Sequence, residues 1–133
     1  MKYLDIRCEY IDFSRILRKY KAGGFIVKPQ DRKWSNQQRL DYLHSLLWSS
    51  AIGYTVHLTR PWIVKQSREN ILTLLYGQEQ FLTLLDVVEG RINYNEDYSF
   101  QNDVYASQIV LCLCKPSLSE QDVQEVIRRY LSE

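Results

Sequence analysis

The sequence predicts a single mixed α/β domain, in which a small mixed sheet is flanked by helices. Three observations predict this class. Short apolar runs with strand composition alternate with segments whose apolar residues recur at helical spacing. Glycine, proline or capping residues stand at many of the junctions. The 133 residues are 45% hydrophobic and 25% charged, with a net charge of +1. This composition supports one core and excludes a disordered or collagen-like chain, so we expect one domain over residues 1–133.

The first part of the chain predicts two strands with a helix between them. Residues 3–10 and 25–27 have the composition of strands, and residues 14–21 have that of a short helix. The helix should end at Gly23 and Gly24, because glycine readily adopts the left-handed conformation in which many helices end.

A longer helix follows, and its start is marked by a capping box. Ser35 can cap the first turn, and Gln38 can reach back to the backbone of Ser35. The predicted apolar face consists of leucines at helical spacing: Leu40, Leu43, Leu46 and Leu47. Beyond this helix, the β-branched and aromatic residues 54–58 predict another strand.

The second half predicts a hairpin, a helix, a strand and a closing helix. The polar residues 65–70 indicate a turn, and residues 71–76 a buried strand. Helical spacing over residues 78–88 and a continuous apolar run over 109–114 predict the next two elements. The closing helix is marked by capping and apolar residues at helical spacing: Ser119, Asp122, Val123, Val126, Ile127, Tyr130 and Leu131.

The three cysteines favour a reducing, intracellular and therefore cytoplasmic location, because their number is odd and their spacing forms no disulfide framework. Cys112 and Cys114 should share one face of a buried strand, and we interpret them as small core residues. A metal site that combines them with His44 or His57 is the alternative. The longest apolar run is far shorter than the roughly 20 residues of a membrane helix, so no membrane span is expected.

Charge is divided unevenly along the chain. Residues 1–75 hold 13 Lys and Arg against 6 Asp and Glu, whereas residues 76–133 hold 4 against 10. The densest basic stretch is Arg15, Arg18, Lys19, Lys21, Lys28, Arg32 and Lys33. Such a stretch can attract phosphates; the alternative is a solvated surface balanced by the acidic half.

The junction of a strand and a helix at Gly77 is the strongest candidate for a ligand site. A glycine after a buried strand permits a tight turn, and the N-terminus of the helix that follows offers free amides to an anion. Gln78, Glu79 and Gln80 supply polar side chains in that first turn.

The segment around this turn, residues 74–85, resembles the D-G-Q-Q-R-x-T-T-L signature of a known family. That family is the ParB/sulfiredoxin-like domain at the N-terminus of GmrSD-type modification-dependent restriction endonucleases. Residues 16–34 are similar to its helix, glycine and I-P-x-x-Q-R-x-x-x-W element. Residues 40–47 look like its next helix, and 127–131 like its F-x-R-x-N stretch. The resemblance implies a ParB/sulfiredoxin-like architecture.

The departures from the family pattern fall on the residues that carry its chemistry. In the family, this turn supplies an acid, amides and an arginine to a site that binds and hydrolyses nucleotides. Here Tyr76 stands in the position of the acid and Gln80 in that of the arginine, while Gly77 and Gln78 match. Gln80 cannot neutralise a phosphate, so the resemblance implies a degenerate site.

The expected ligand-binding residues are Tyr76, Gly77, Gln78, Gln80, Arg32, Trp34 and Arg129. The resemblance favours a stand-alone, catalytically degenerate relative that binds nucleic acid, a nucleotide or a host protein, and it suggests a viral or mobile-element source. No metal is expected, and no cofactor other than a nucleotide. One alternative is an active nucleotidase or nuclease in which Glu79 acts with Arg32 and Arg129. Another is a protein-interaction module or homodimer without nucleotide, joined through the basic and acidic halves.

Tyr76 has two competing interpretations. If the strand predicted over residues 71–76 places its ring toward the former nucleotide site, the ring fills that cleft, and a ligand would bind by stacking and amide hydrogen bonds without a metal. Otherwise the ring packs into the core with its hydroxyl at the rim.

Overall fold

A computed structural model of the chain describes residues 6–28, 34–51, 61–92 and 101–131. The elements within these ranges are, in chain order, β1 (Ile6–Asp12), α1 (Phe13–Lys21), β2 (Phe25–Val27), α2 (Asn36–Ala51), β3 (Trp62–Gln66), β4 (Leu72–Tyr76), α3 (Gln78–Val88), α4 (Gln101–Ala106), β5 (Gln108–Cys114) and α5 (Glu120–Leu131). The strand predicted over 54–58 lies outside the described residues.

The described strands form one five-stranded sheet in the order β1-β5-β3-β4-β2. β1 runs antiparallel to β5, and β3 runs antiparallel to β4. β3 is parallel to β5, and β2 is parallel to β4. This mixed sheet with its helices confirms the predicted α/β class.

Alternation along the strands divides the core into two faces. On β3, Trp62 and Val64 contact one buried cluster, and Ile63 contacts the other. The first cluster includes side chains of α1, α2, α3 and α4, and we call this side the four-helix face. The second includes side chains of α5 as its only helix among the described residues, and we call it the α5 face. Within the described residues, no helix has the length and apolar character needed to cross a membrane.

Phe81 of α3 is the centre of the four-helix face. Its ring is fully buried and lies 6.0 Å from Phe13, 5.0 Å from Tyr20, 5.6 Å from Phe25 and 6.1 Å from Trp62, measured between ring centroids. The aromatic cluster therefore joins α1, β2, β3 and α3 in one core.

The α5 face has a smaller core of aliphatic side chains and thiols. Its buried members are Ile63, Cys112, Cys114, Leu118, Val123 and Val126, and half-buried Ile6, Leu75, Tyr76 and Ile127 pack against them. The prediction that Cys112 and Cys114 share a face is confirmed.

The helix caps follow the predicted residues. The Ser35 amide donates to Gln38 Oε1 at 2.8 Å, and the Gln38 amide donates to Ser35 Oγ at 3.2 Å, which confirms the capping box. The Asp122 amide donates to Ser119 Oγ at 3.2 Å. The predicted leucine face is wrong at Leu40, which is 37% exposed, because α2 directs Leu43 and Leu46 toward the core.

Candidate functional site

Gly77 forms the turn between β4 and α3, and the geometry there requires glycine. Its φ angle is 113°, in the region that disfavours a side chain. A Cβ atom at this position would lie 2.7 Å from Cγ and Cδ1 of Trp62. The first turn of α3 thus begins directly against the indole of the central strand.

Gln78 uses its side-chain amide within the protein. Nε2 donates to the carbonyl oxygen of Leu75 at 3.0 Å and approaches that of Leu74 at 3.5 Å. The side chain is therefore folded back over the last residues of β4, where it caps strand carbonyls.

Tyr76 lies on the α5 face, on the opposite side of the sheet from α3. Simple alternation would place it with Leu74 on the four-helix face. However, Ile63 pairs with Tyr76 while Val64 pairs with Leu74, so Leu75 is an extra residue in β4. Such a bulge re-aims the side chains beyond it. The half-buried ring packs against the α5 cluster, which is the arrangement of the core-packing interpretation.

Glu79 belongs to a buried polar stripe along α3. Glu79, Thr83 and Asp86 are spaced four and three residues apart, so they lie on one side of the helix, and all three are buried. Thr83 Oγ1 donates to the carbonyl oxygen of Glu79 at 2.7 Å. Arg39 of α2 approaches Thr83 Oγ1 through Nε at 3.4 Å and forms an ion pair with Asp86. The stripe therefore faces α2.

Asp86 is held between two arginines. Its carboxylate is 5% exposed and pairs with Arg39, which is 14% exposed, and with Nε of Arg91 at 2.7 Å. Arg91 also pairs with Glu89 at the surface. Hydrogen bonds to Asp86 and then to Glu89 raise the pKa of Arg91. The arrangement neutralises a buried carboxylate and fastens α2 to α3.

Comparison of the chain with protein-family models, with curated proteins and with solved structures finds no match. The resemblance to the ParB/sulfiredoxin-like domain therefore stays a prediction. The same holds for the ligand-binding roles of the residues that it assigns.

Two other predicted ligand-binding residues lie on the four-helix side. Gln80 is half-buried in the first turn of α3. Trp34 stands just before α2, with its ring centroid 5.7 Å from that of Tyr42. Burial raises the pKa of Tyr42, and its hydroxyl is buried without a hydrogen-bond partner among the described residues. Arg32 lies outside the described residues.

Arg129 lies on α5, across the sheet from α3. Its Nε donates to Glu125 Oε1 at 3.2 Å. Hydrogen bonds from Arg128 and Arg129 lower the pKa of Glu125. Glu79 and Arg129, which the nucleotidase alternative combines in one site, are thus on helices that pack on opposite faces.

The residues of the metal-site alternative are also divided between the two faces. Cys112 and Cys114 lie on the α5 face, whereas His44 is exposed on α2. His57 lies outside the described residues. Across the described ranges, no group of three or more His, Cys, Asp or Glu side chains is arranged to hold a metal ion.

The outer side of α1 is a second candidate surface, and its basic composition was visible in the sequence. Arg15, Arg18 and Lys21 are exposed and Lys19 is half-buried. None of these four cations forms an ion pair with a described residue, and α1 has no acidic residue in its first turn. Its opposite side carries Phe13, Ile16 and Leu17, which are buried in the core. We call the four cations the α1 basic face.

Proposed function

We propose that this chain acts by binding nucleic acid, with the α1 basic face contacting the phosphate backbone. The observation that carries the proposal is the arrangement of α1. Buried Phe13, Ile16 and Leu17 fix the helix on a packed core, so its cations project from a rigid element. Lysine and arginine that neutralise phosphates release counterions from the nucleic acid, which favours binding without base recognition.

The local charge supports a polyanionic partner. From Phe13 to Lys28 the chain has five Lys and Arg residues and no Asp or Glu. On α5, Arg128 and Arg129 form ion pairs with the neighbouring carboxylate of Glu125. If carboxylates balanced the cations of α1 in the same way, those cations would also form ion pairs. The contrast between α1 and α5 favours attraction of an external anion at α1.

We further interpret the turn at Gly77 as a degenerate relative of a hydrolytic site. Tyr76 is engaged with the α5 cluster, and the amide of Gln78 is engaged with strand carbonyls. The buried position of Glu79 and the distant helix of Arg129 argue against the nucleotidase alternative. A viral or mobile-element source, and interference with a host nucleic-acid system, rest on the resemblance alone.

Salt-dependent binding tests the proposal. Fluorescence anisotropy with labelled single-stranded and double-stranded oligonucleotides should give an affinity that falls steeply between about 50 and 200 mM salt. If the four cations contact phosphates, the logarithmic slope for duplex DNA is about −3 to −4. The R15E/R18E double variant should bind at least about tenfold more weakly and have a shallower slope.

The matched control changes the net charge by the same amount as R15E/R18E but at positions outside α1. The R68E/R128E variant replaces two exposed arginines, one in the β3–β4 turn and one on α5. It should bind nearly as tightly as the parent chain. Equal losses in both double variants would mean that net charge alone matters, and absence of binding at low salt would refute the proposal. Magnesium-dependent nucleotide hydrolysis that is lost in E79Q would replace it with the nucleotidase alternative.

A further inference from the structure

The α5 face brings the three cysteines of the chain together. In the β1–β5 pairing, Cys8 lies directly opposite Cys112. Cys114 follows two residues later on the same face of β5, and its neighbour across the sheet in β3 is Lys65. None of the three cysteines is in a disulfide. Residues about a hundred positions apart in the chain thus form one thiol cluster.

The cross-strand pair has a spacing that a disulfide can span. Directly opposed residues of antiparallel strands have Cα atoms about 4.5–5.5 Å apart, and disulfides join Cα atoms about 4.4–6.8 Å apart. Cys8 belongs to β1, which is an edge strand of the sheet that the described residues form. An edge strand has neighbours on one side only, so it can shift to bring the two sulfurs together.

The two thiols of this pair differ in access. Cys8 is exposed to solvent, whereas Cys112 is fully buried. An oxidant can therefore reach the sulfur of Cys8 first. Cys112 lies directly opposite Cys8 on the neighbouring strand. An exposed thiol beside a second thiol that can resolve its oxidised form is the arrangement typical of reversible thiol oxidation.

The remaining members of the cluster, Cys114 and Lys65, lie beside the buried thiol. A hydrogen bond from the Cys112 thiol lowers the pKa of Cys114, and the nearby charge of Lys65 acts in the same direction. Lys65 is held in place because Nζ donates to the carbonyl oxygens of Lys115 at 2.9 Å and Leu118 at 2.6 Å. Cys114 is thus a hydrogen-bonded neighbour of Cys112 within the cluster.

We propose that Cys8 and Cys112 are a reversible oxidation site that forms a cross-strand disulfide with hydrogen peroxide. The Cys8 sulfur attacks one peroxide oxygen and the O–O bond breaks. The departing hydroxide takes up the Cys8 proton as water, leaving a sulfenic acid on Cys8. The Cys112 sulfur then attacks the Cys8 sulfur, the S–O bond breaks, and a second water leaves with the Cys112 proton. Both sulfurs are oxidised, and both peroxide oxygens are reduced.

Peroxide treatment of the purified chain, followed by alkylation and mass spectrometry, tests the site. The oxidised chain should lose the mass of two hydrogen atoms and two of its three alkylatable thiols. Peptide mapping should show Cys8 linked within one chain to the segment that carries Cys112. Dithiothreitol should restore both thiols, and the cross-linked chain should unfold at a higher temperature than the reduced chain, since the bond closes a long loop.

Two variants identify the partner of Cys8. C8S changes an exposed residue, so it should fold normally and form no intramolecular disulfide. C114A leaves Cys112 as the sole partner, so it should still give the cross-link. Linkage of Cys8 to Cys114, loss of the cross-link in C114A, or oxidation of Cys8 to sulfinic acid without a disulfide would each overturn the proposal. Disulfides formed only between two chains would overturn it as well.

Discussion

The cores on the two faces of the sheet differ in the types of side chain that they bury. The four-helix face buries a cluster of aromatic rings around Phe81 beneath four helices. The α5 face buries aliphatic side chains and two cysteines, and α5 is the one described helix that packs on it. Aromatic residues bury large areas and stabilise in proportion, so stability should come mainly from the four-helix face. The α5 face, with its thinner cover, is the side on which thiol chemistry and local opening are expected.

Large-to-small substitution in each core gives the largest expected contrast. F81A removes a ring that contacts four other aromatic residues, so we expect a loss of about 3–5 kcal/mol in the free energy of unfolding. V126A on the α5 face should cost about 1–2 kcal/mol. Urea denaturation of both variants checks this, and equal losses would show that the two faces contribute alike.

Gly77 is where the chain passes from the sheet to the four-helix face. G77A introduces a Cβ atom against Trp62 and a strained φ angle, and it should cost about 2–4 kcal/mol. G90A is the matched control, because Gly90 also has a positive φ but no atom within 4 Å of the added Cβ. It should cost about 1 kcal/mol. Thermal unfolding measures both, and similar values would mean that contact with Trp62 is unimportant.

The ion pairs of the two faces differ in burial. R39M removes one of the two described arginines that pair with buried Asp86 and should cost about 2–3 kcal/mol. R128M removes an exposed partner of Glu125 on α5 and should leave the midpoint of urea unfolding unchanged. A large loss of stability in R128M, or no loss in R39M, would contradict the expectation that the buried pair stabilises the fold and the exposed pair does not.

Tyr42 gives the smallest effect at neutral pH and a clear one in alkali. Y42F should change stability by less than about 0.5 kcal/mol at pH 7, because no described group pairs with the hydroxyl. Burial raises the pKa of Tyr42 above its ordinary value of 10.0, so the folded chain keeps the phenol neutral while the unfolded chain can ionise it. Stability should therefore fall as the pH rises above about 10, and less steeply in Y42F. Identical alkaline profiles would contradict this.

Local signals predict the boundaries of several elements. The α3 helix occupies residues 78–88 as its spacing predicts, and the Ser35–Gln38 capping box forms as expected. These features depend on residues a few positions apart, and their physical causes lie within one segment. The order of the strands and the separate position of α5 depend on packing between distant segments, and periodicity alone carries no information on them.

Two features of the candidate site depend on contacts between distant segments and are not predicted by local sequence patterns. The bulge at Leu75 turns Tyr76 to the α5 face, although alternation from Leu74 predicts the other side. The pairing of Arg39 with Asp86 joins residues 47 positions apart, and no local pattern predicts the partner. The spacing of Glu79, Thr83 and Asp86 by four and three residues does indicate that these polar side chains share one side of a helix. By contrast, the α1 basic face is visible in the sequence because its cations stand close together.

The pairing of β1 with β5 has a consequence for how the chain folds. β5 lies between β1 and β3 in the sheet. β1 can therefore pair with β5 only after β5 has been synthesised, roughly a hundred residues later. While a ribosome makes the intervening residues, β1 lacks the strand with which it pairs among the described residues. Closing so long a loop is slow compared with forming a helix or a hairpin. A nascent chain therefore carries β1 without β5 until about a hundred further residues have been made, and the sheet that the described residues form is completed only after β5 has left the ribosomal exit tunnel.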